Sequence, residues 1–225
     1  MQPERADPAV LDTVLVIDTA TEACSVALFA GDQLLASDYA VLGRGHAERL
    51  VPMIAALPGR GRAGAILVNC GPGSFTGVRV GLAAARALSL AWSVPVSGYS
   101  THALIAAMAR RGLDMPQAID VAMTGGHGEF FVQGFAADGR PASVLASLSP
   151  DAAAAVCTQM VVAGSMAEAV VAARGFGTAL ALVPDAREAH LLGAGMRMLP
   201  PDPLYGRGAD AKPMAAANPP IAVAG

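Results

Sequence analysis

Three short strands joined by tight turns open the chain before any helical pattern appears. Residues 13–17 form a β-branched run that ends at Asp18, residues 23–29 form a second run, and residues 33–40 form a third beyond the Gly31-Asp32 turn. Strands that follow one another through tight turns pair as an antiparallel meander. A doubly wound sheet, in which strands and helices alternate from the start, is therefore excluded.

Helices enter the pattern only after this meander. The apolar spacing predicts a helix over 46–57, an apolar strand over 65–70 and a long helix over 76–92. For the rest we predict strands over 94–98, 118–123, 129–136 and 159–163, and helices over 101–111, 149–156, 166–174 and 185–199. Because hairpin strands followed by helices and further strands occur twice, the sequence indicates a duplicated α+β or mixed α/β unit.

Length and composition agree with a chain of one large or two small domains. At roughly 150 residues per domain, 225 residues fit either case. With 54% hydrophobic and 15% charged residues, the chain has enough apolar surface to fold without disulfides or metals. We divide it into an N-terminal extension (1–12), a first domain (13–100), a second domain (101–199) and a Pro/Ala-rich tail (200–225).

The charge distribution argues against direct binding to nucleic acid or membranes. The net charge is −3, the arginines are scattered, and Lys212 is the single lysine. A protein that binds a phosphate backbone normally carries a basic stripe. No run of 18 uncharged apolar residues occurs, and the three cysteines are widely spaced. We therefore expect a cytoplasmic protein with free thiols and no membrane segment.

The sharpest local motif is the glycine-rich segment 71–81, which lies between an apolar strand and a long helix. Its glycines permit a tight turn that brings Ser74 or Thr76 to the helix N-terminus, where an anion can bind. The segment lacks the lysine of a Walker loop and the third glycine of the dinucleotide fingerprint. A phosphate cradle that includes Gly73 and a turn that binds no ligand are both compatible with this spacing.

A second candidate site lies at the tip of the opening hairpin. Asp18 and Thr19 could face a phosphate or a metal-bound water, or they could only tie the turn through bonds to the backbone. His46 is followed four residues later by Leu50, so the two-histidine spacing of a metal site on a helix is absent. No histidine forms a triad with a serine or cysteine, and we therefore expect no catalytic or metal-binding residues.

Small residues recur every four positions along the helix that follows the motif. Gly77, Gly81 and Ala85 form this stripe, with Ala84 and Leu88 beside it. Small residues at this spacing let another helix approach closely, and that helix could belong to a partner or to the core of the same chain. The sequence leaves open which side of the helix is exposed.

The motif GPGSFTGVRVG at 71–81 closely resembles the signature of the TsaB (YeaZ) family, the bacterial partners of the tRNA threonylcarbamoyladenosine synthase TsaD. Further similar segments are IDTATEACSV at 17–26, HAERLVPMI at 46–54, and the tail residues 203–205 and 210–212. One segment departs from the family pattern: the turn 124–127 reads TGGH where members often carry Asp-Ala-Arg. The resemblance therefore leaves the role of this turn open.

The resemblance implies an actin-like, sugar-kinase-like fold of two related α/β domains, each with a mixed sheet that begins with an antiparallel meander. It further implies a non-catalytic activating subunit that heterodimerises with TsaD for threonylcarbamoyl transfer to the adenosine beside the anticodon of tRNAs reading codons that begin with adenine. The expected partners are a TsaD-like subunit, a TsaE-like ATPase, a second copy of the chain when these are absent, and tRNA only indirectly.

For the partner interface we expect the two first-domain helices. The predicted interface residues are His46, Arg49, Leu50, Met53, Gly77, Gly81, Ala84, Ala85 and Leu88. No tightly bound cofactor is expected, and ATP or ADP is the nucleotide expected near that interface. The predicted nucleotide-binding residues are Asp18, Thr19, Gly73, Ser74 and Thr76.

Two alternative functions remain open at this point. One is a phosphotransferase or ATPase of the same fold, which would use Asp18 and the loop 71–76 with a general base and a divalent ion. The other is a nucleotide-binding module in which the loop holds phosphate without chemistry.

Overall fold

The computed structural model describes residues 12–206 and contains two five-stranded mixed sheets. The predicted extension 1–12, except for its last residue, and the tail beyond Gly206 lie outside the described residues. The strands are β1 (Thr13–Asp18), β2 (Ala23–Ala30), β3 (Gln33–Val41), β4 (Ala65–Asn69), β5 (Val96–Tyr99), β6 (Ile119–Thr124), β7 (Phe130–Phe135), β8 (Ala146–Leu148), β9 (Val161–Ala163) and β10 (Thr178–Leu180).

The first sheet has the strand order β3-β2-β1-β4-β5. Strands β1, β2 and β3 pair antiparallel, whereas β4 and β5 join β1 in parallel. At the centre Ile17 pairs with Val26 on one side and with Val68 on the other. The carboxyl ends of β1, β4 and β5 therefore meet at one edge of this sheet.

The second sheet repeats the arrangement with the order β10-β9-β6-β7-β8. Strands β6, β7 and β8 form the antiparallel meander, and β9 and β10 continue from β6 in parallel. Two sheets with one topology confirm the predicted duplicated α/β, actin-like fold.

Within residues 12–206, five α-helices cover the sheets. They are α1 (His46–Ala56), α2 (Phe75–Trp92), α3 (Thr101–Arg111), α4 (Pro150–Val156) and α5 (Ala167–Arg174). Helices α1 and α2 pack with one side of the first sheet in a single apolar cluster, and α4 and α5 pack with the far side of the second sheet. Helix α3 contributes Leu104 and Ile105 to a third cluster that contains residues of both sheets. The two halves therefore share a continuous apolar core.

Alternation along β1 decides which core each residue joins. Leu15 and Ile17 pack toward α1 and α2, whereas Val16 packs toward α3. Successive side chains of a strand point to opposite faces of the sheet, so a strand covered on both faces is apolar throughout. This accounts for the continuous apolar run that predicted the strand.

The prediction of a helix over 185–199 was wrong. The segment forms two short 3-10 helices, Ala186–Leu191 and Ala194–Arg197. Gly193 and Gly195 lie in the second part of the segment, and glycine lowers helix propensity by about 1 kcal/mol relative to alanine. The strands β8 and β10, of three residues each, were not predicted. None of the helices within residues 12–206 combines the length and apolar character needed to span a bilayer.

Candidate functional site

A cavity of about 750 Å³ lies between the two halves of the chain. One wall consists of the β1–β2 turn and the start of α2, the opposite wall consists of the β6–β7 turn with Phe131 and Ser165, and residues 203–206 form a third side. Most of the lining is apolar, and hydroxyl groups of Thr21, Ser74 and Thr124 interrupt it. A cavity of this size between the halves is where a ligand would bind.

Asp18 ends β1 close to this cavity but does not line it. Its carboxylate is buried and accepts hydrogen bonds from Asn69 Nδ2 at 2.7 Å, from the Tyr99 hydroxyl at 2.7 Å and from the Ala20 amide at 3.1 Å. Burial raises the pKa of Asp18 to about 6, although the hydrogen bonds from Asn69 and Tyr99 act in the opposite direction. The carboxylate is therefore committed to groups of its own chain.

Asn69 extends this network from β4 to the next helix. Its side-chain oxygen accepts from the Gly71 amide at 2.7 Å and from the Thr101 hydroxyl at 2.9 Å. The network connects the carboxyl ends of β1, β4 and β5 with the start of α3. It fixes the first residue of the 71–74 loop relative to the hairpin that contains Asp18.

The glycines of the motif pack against the β1–β2 turn. A Cβ atom on Gly73 would lie 2.0 Å from the Ala20 carbonyl oxygen, and one on Gly77 would lie 2.1 Å from that of Thr19. The Thr19 hydroxyl donates to the Gly77 carbonyl at 2.7 Å. These glycines permit the close approach of backbone to backbone.

This packing places the predicted nucleotide-binding residues in different environments. Asp18 and Thr19 are buried and tie the turn, whereas Gly73 and Ser74 line the cavity. Ser74 also caps α2, because its hydroxyl accepts from the Gly77 amide at 3.2 Å. Thr76 is exposed and is not among the residues that line the cavity.

The β6–β7 turn forms the opposite wall. The Thr124 and Ser165 hydroxyls lie 3.0 Å apart, and the Gly125 amide donates to the Glu129 carbonyl at 2.8 Å. His127 at the tip has a positive φ of 58° and lines the cavity. The turn that departs from the family pattern therefore places an imidazole at the cavity.

Arg79 lies where the cavity opens beside α2. Its guanidinium carbon lies 3.3 Å from the centre of the Phe75 ring and 5.5 Å from that of Tyr205. It donates to the Tyr205 hydroxyl at 2.7 Å. Sequence spacing could not reveal this cluster, because 126 residues separate its two ends.

Most of the predicted interface residues face the interior, which corrects the predicted surface. Six of the nine predicted positions are buried: His46, Leu50, Met53, Gly77, Gly81 and Ala85. Arg49 is exposed, and Ala84 and Leu88 are half-buried. The apolar stripe that the sequence revealed is the side of each helix that packs on the first sheet, so the interior alternative holds for the small-residue stripe.

The opposite sides of α1 and α2 are also apolar and are exposed. We call these residues the helix-pair surface: Ala47, Val51 and Ala55 on α1, and Ala83, Ala87, Leu90 and Ala91 on α2. Leu90 is 84% exposed and Val51 is 60% exposed. Exposed large aliphatic side chains on neighbouring helices are typical of a surface that another protein covers.

Reactive thiols and a metal cluster are absent from the described residues. Cys24, Cys70 and Cys157 are free and buried, and burial raises their pKa values to about 11, 11 and 12. Within residues 12–206 no three His, Cys, Asp or Glu side chains converge as a metal ion would need. This part of the chain offers a cavity and an exposed apolar helix-pair surface.

Comparison with known proteins identifies relatives of the chain. Residues 40–183 match the family model of TsaD, described as tRNA N6-adenosine threonylcarbamoyltransferase. The protein TsaB of Escherichia coli, named for tRNA threonylcarbamoyladenosine biosynthesis, is 40% identical over 93 residues, which are 39% of this chain and 40% of that protein. The TsaB protein of Haemophilus influenzae is 38% identical over 48% of this chain and 47% of its own length. The chain thus matches less than half the length of these curated relatives.

The structure of this chain also resembles a solved structure over most of the chain. YeaZ from Pseudomonas aeruginosa superposes with a TM-score of 0.72 at 30% sequence identity. The match covers 86% of this chain and 99% of that chain. The similarity therefore extends over both sheets and not only over the glycine-rich motif.

Proposed function

Because the chain belongs to the TsaB (YeaZ) family, we propose that it acts in threonylcarbamoyladenosine biosynthesis on tRNA as a non-catalytic activating subunit. Its partner is a TsaD-like subunit, which transfers the threonylcarbamoyl group to the adenosine beside the anticodon of tRNAs reading codons that begin with adenine. The chain contributes a docking surface, and the partner contributes the reacting groups.

The helix-pair surface is the observation on which this proposal rests. Its members are small apart from Val51 and Leu90, so a partner helix can approach the backbone closely while the two larger side chains insert between its residues. Burial of apolar surface stabilises a complex by roughly 25 cal/mol per Å² before the costs of association are subtracted. An exposed apolar surface of this kind supports a protein partner.

The environment of Asp18 supports the non-catalytic part of the proposal. A divalent ion needs carboxylate oxygens with free lone pairs. Here one oxygen accepts from both Asn69 and Tyr99, and the other accepts from the Ala20 amide. The side chain is also only 1% exposed, so a bound ion would have to displace the network that holds the strand ends together.

The other proposed partners depend on the same helix-pair surface. A TsaE-like ATPase joins the complex formed with the TsaD-like subunit, and tRNA reaches this chain only through that subunit, in keeping with the net charge of −3. Without a partner, two copies of the chain cover the helix-pair surface of each other. ATP or ADP binds near the interface of the heterodimer and not tightly to this chain alone.

Size-exclusion chromatography of the chain mixed with the TsaD-like subunit from the same genome tests the proposal. We expect co-elution for the wild type and separate elution for Ala87→Arg, which places a charge in the helix-pair surface. The matched control is Ala172→Arg, at an exposed alanine of α5 on the other half of the chain, and it should co-elute as the wild type does. Separate elution of the wild-type proteins, with and without ATP, would contradict the proposal.

The cavity between the halves favours one alternative, a nucleotide-binding module without chemistry. A volume of about 750 Å³ is within the range of small-molecule sites. Calorimetry with ATP and ADP on the chain alone, and again on the heterodimer, separates the two functions. Tight binding to the chain alone, together with no complex with the TsaD-like subunit, would favour the module.

A further inference from the structure

Arg79 is held in one conformation by two aromatic rings and two hydrogen bonds. The guanidinium stacks on Phe75 and lies beside Tyr205, donates to the Phe75 carbonyl at 3.0 Å, and donates to the Tyr205 hydroxyl at 2.7 Å. An arginine side chain normally loses up to about 2 kcal/mol of conformational entropy when a ligand fixes it. In this cluster much of that loss has already occurred on folding, so a ligand would bind to a preorganised group.

The guanidinium has no anionic partner among the described residues. Arg86, two turns further along α2, forms an ion pair with Asp202, whereas no carboxylate within residues 12–206 lies within 4.0 Å of Arg79. A guanidinium carries five N–H donors, and the two hydrogen bonds from Nη1 and Nη2 leave others available. The described residues thus present a fixed positive charge and supply no counter-charge of their own.

The two aromatic rings around Arg79 are themselves exposed. Phe75 is 68% exposed and Tyr205 is 58% exposed. Arginine and tyrosine are enriched among the residues that dominate protein interfaces, where apolar surroundings exclude water from a central polar contact. The cluster lies in the first turns of α2, the helix that also carries part of the helix-pair surface, so both can contact one partner.

We propose that Arg79, held between Phe75 and Tyr205, binds a carboxylate of the partner subunit. This inference depends on the proposed function, because the carboxylate belongs to an Asp or Glu of the TsaD-like protein. The planar guanidinium can donate two parallel hydrogen bonds to the two carboxylate oxygens, a geometry that a lysine cannot reproduce. The flanking rings exclude water from the contact and strengthen it.

The charges around the cavity favour a carboxylate over a polyphosphate. Among the described lining residues Arg79 is the one arginine, no lysine occurs, and Glu22 is also present. A nucleoside triphosphate carries several negative charges. In this lining the guanidinium of Arg79 would attract it, and the carboxylate of Glu22 would repel it. A single carboxylate matches the single positive charge of Arg79.

Calorimetric titration of the TsaD-like subunit with Arg79 variants tests this assignment. We expect Arg79→Gln to weaken the complex about ten- to a hundredfold, the range for a lost hydrogen bond to a charged group. Arg79→Lys should show an intermediate loss, because it keeps the charge without the planar fork. The control Arg140→Gln removes the same charge from the connection between β7 and β8 and should leave the affinity within twofold of the wild type. Melting temperatures of all variants show whether a variant fails to fold.

The partner's residue can then be found by changing its Asp and Glu residues to Asn and Gln. One of these variants should lose affinity with the wild-type chain and lose nothing further with Arg79→Gln, the signature of a coupled pair. The assignment is wrong if Arg79→Gln binds within twofold of the wild type, if no such pair exists, or if the variant instead loses ATP binding by the chain alone. In the first two cases the wild-type complex still forms and the proposed function stands, whereas the absence of any wild-type complex would remove both.

Discussion

The Tyr99 hydroxyl donates a hydrogen bond of 2.7 Å to Oδ2 of Asp18, across the carboxyl ends of the first sheet. Tyr99 ends β5 and Asp18 ends β1, with β4 between the two strands. Both side chains are buried, and Asn69 at the end of β4 donates to the same carboxylate oxygen. Three adjacent strand ends are thereby fixed by one carboxylate, in the place where the sequence had left open a phosphate or metal site.

Tyr99→Phe should destabilise the chain by about 1 to 3 kcal/mol, because the buried carboxylate loses one of its donors while the ring keeps its packing. The free energy of unfolding, measured by urea denaturation at pH 7, gives the effect. Tyr205→Phe removes a hydroxyl of an exposed residue that accepts a hydrogen bond from Arg79, so it should change stability by less than about 0.5 kcal/mol. Equal effects of the two changes would contradict the role given to Tyr99.

Asp18 should make the stability of the chain fall as the pH rises from about 4 to 6. The pKa of Asp18 is about 6 in the folded chain and 3.8 as its ordinary value, so in this interval the folded state holds a proton that the unfolded state has released. Relative to Asp18→Asn, the wild type should lose about 3 kcal/mol over the interval and nothing further above it. Urea denaturation of both proteins between pH 4 and 7 measures the difference, and a constant difference would show that the pKa is not raised.

The titration of His102 should make the stability of the chain rise with pH over much of the same interval. Burial lowers the pKa of this histidine from 6.5 to about 4, so the unfolded state takes up a proton first as the pH falls. Stability from His102 is complete above pH 6.5 and is lost by about 3 kcal/mol as the pH falls to 4.

His102→Gln tests this contribution, because glutamine does not titrate and can still donate to the Phe131 carbonyl that His102 Nε2 contacts at 2.9 Å. The loss of stability at acid pH should disappear in this variant. Its stability should instead rise as the pH falls from 6 to 4, because Asp18 still takes up a proton in the folded state. If the variant follows the wild-type pH profile, His102 is not the titrating group.

Gly77→Ala should destabilise the chain by about 3 kcal/mol or more, although alanine favours helices. The added Cβ would lie 2.1 Å from the Thr19 carbonyl oxygen, a backbone atom that cannot move without displacing the hairpin. Gly195→Ala is the control, since nothing lies within 4 Å of a Cβ at that position. Thermal melts of the two variants should differ by more than 5 °C, and similar melting temperatures would disprove the close packing of the motif.

Leu50 and Val51 are neighbours on α1 and should respond differently to change. Leu50 is fully buried, so Leu50→Ala should lower the free energy of unfolding by about 2 to 5 kcal/mol. Val51 belongs to the helix-pair surface, so Val51→Arg should change stability by less than about 0.5 kcal/mol and yet abolish co-elution with the TsaD-like subunit. Co-elution of Val51→Arg would show that the partner docks elsewhere.

The sequence by itself determined most of the strands and helices, except β8, β10 and the segment 185–199, together with the antiparallel start of each half and the glycine-rich turn before α2. These features depend on neighbouring residues: a short apolar, β-branched run marks a strand, turn-forming residues mark its ends, and the motif 71–81 identifies the family. They could be predicted because the physical cause lies within about ten residues of its effect.

Only the tertiary structure decided which sides of α1 and α2 are exposed. Alanine and glycine make both sides of α2 apolar, so the period of the pattern could not distinguish the buried stripe with Gly77 and Gly81 from the exposed one with Ala83 and Ala87. The burial of Asp18 and the stacking of Arg79 also depend on residues far apart in the chain. Contacts of this kind form when two strand ends or two segments meet in space, and local spacing carries no information about them.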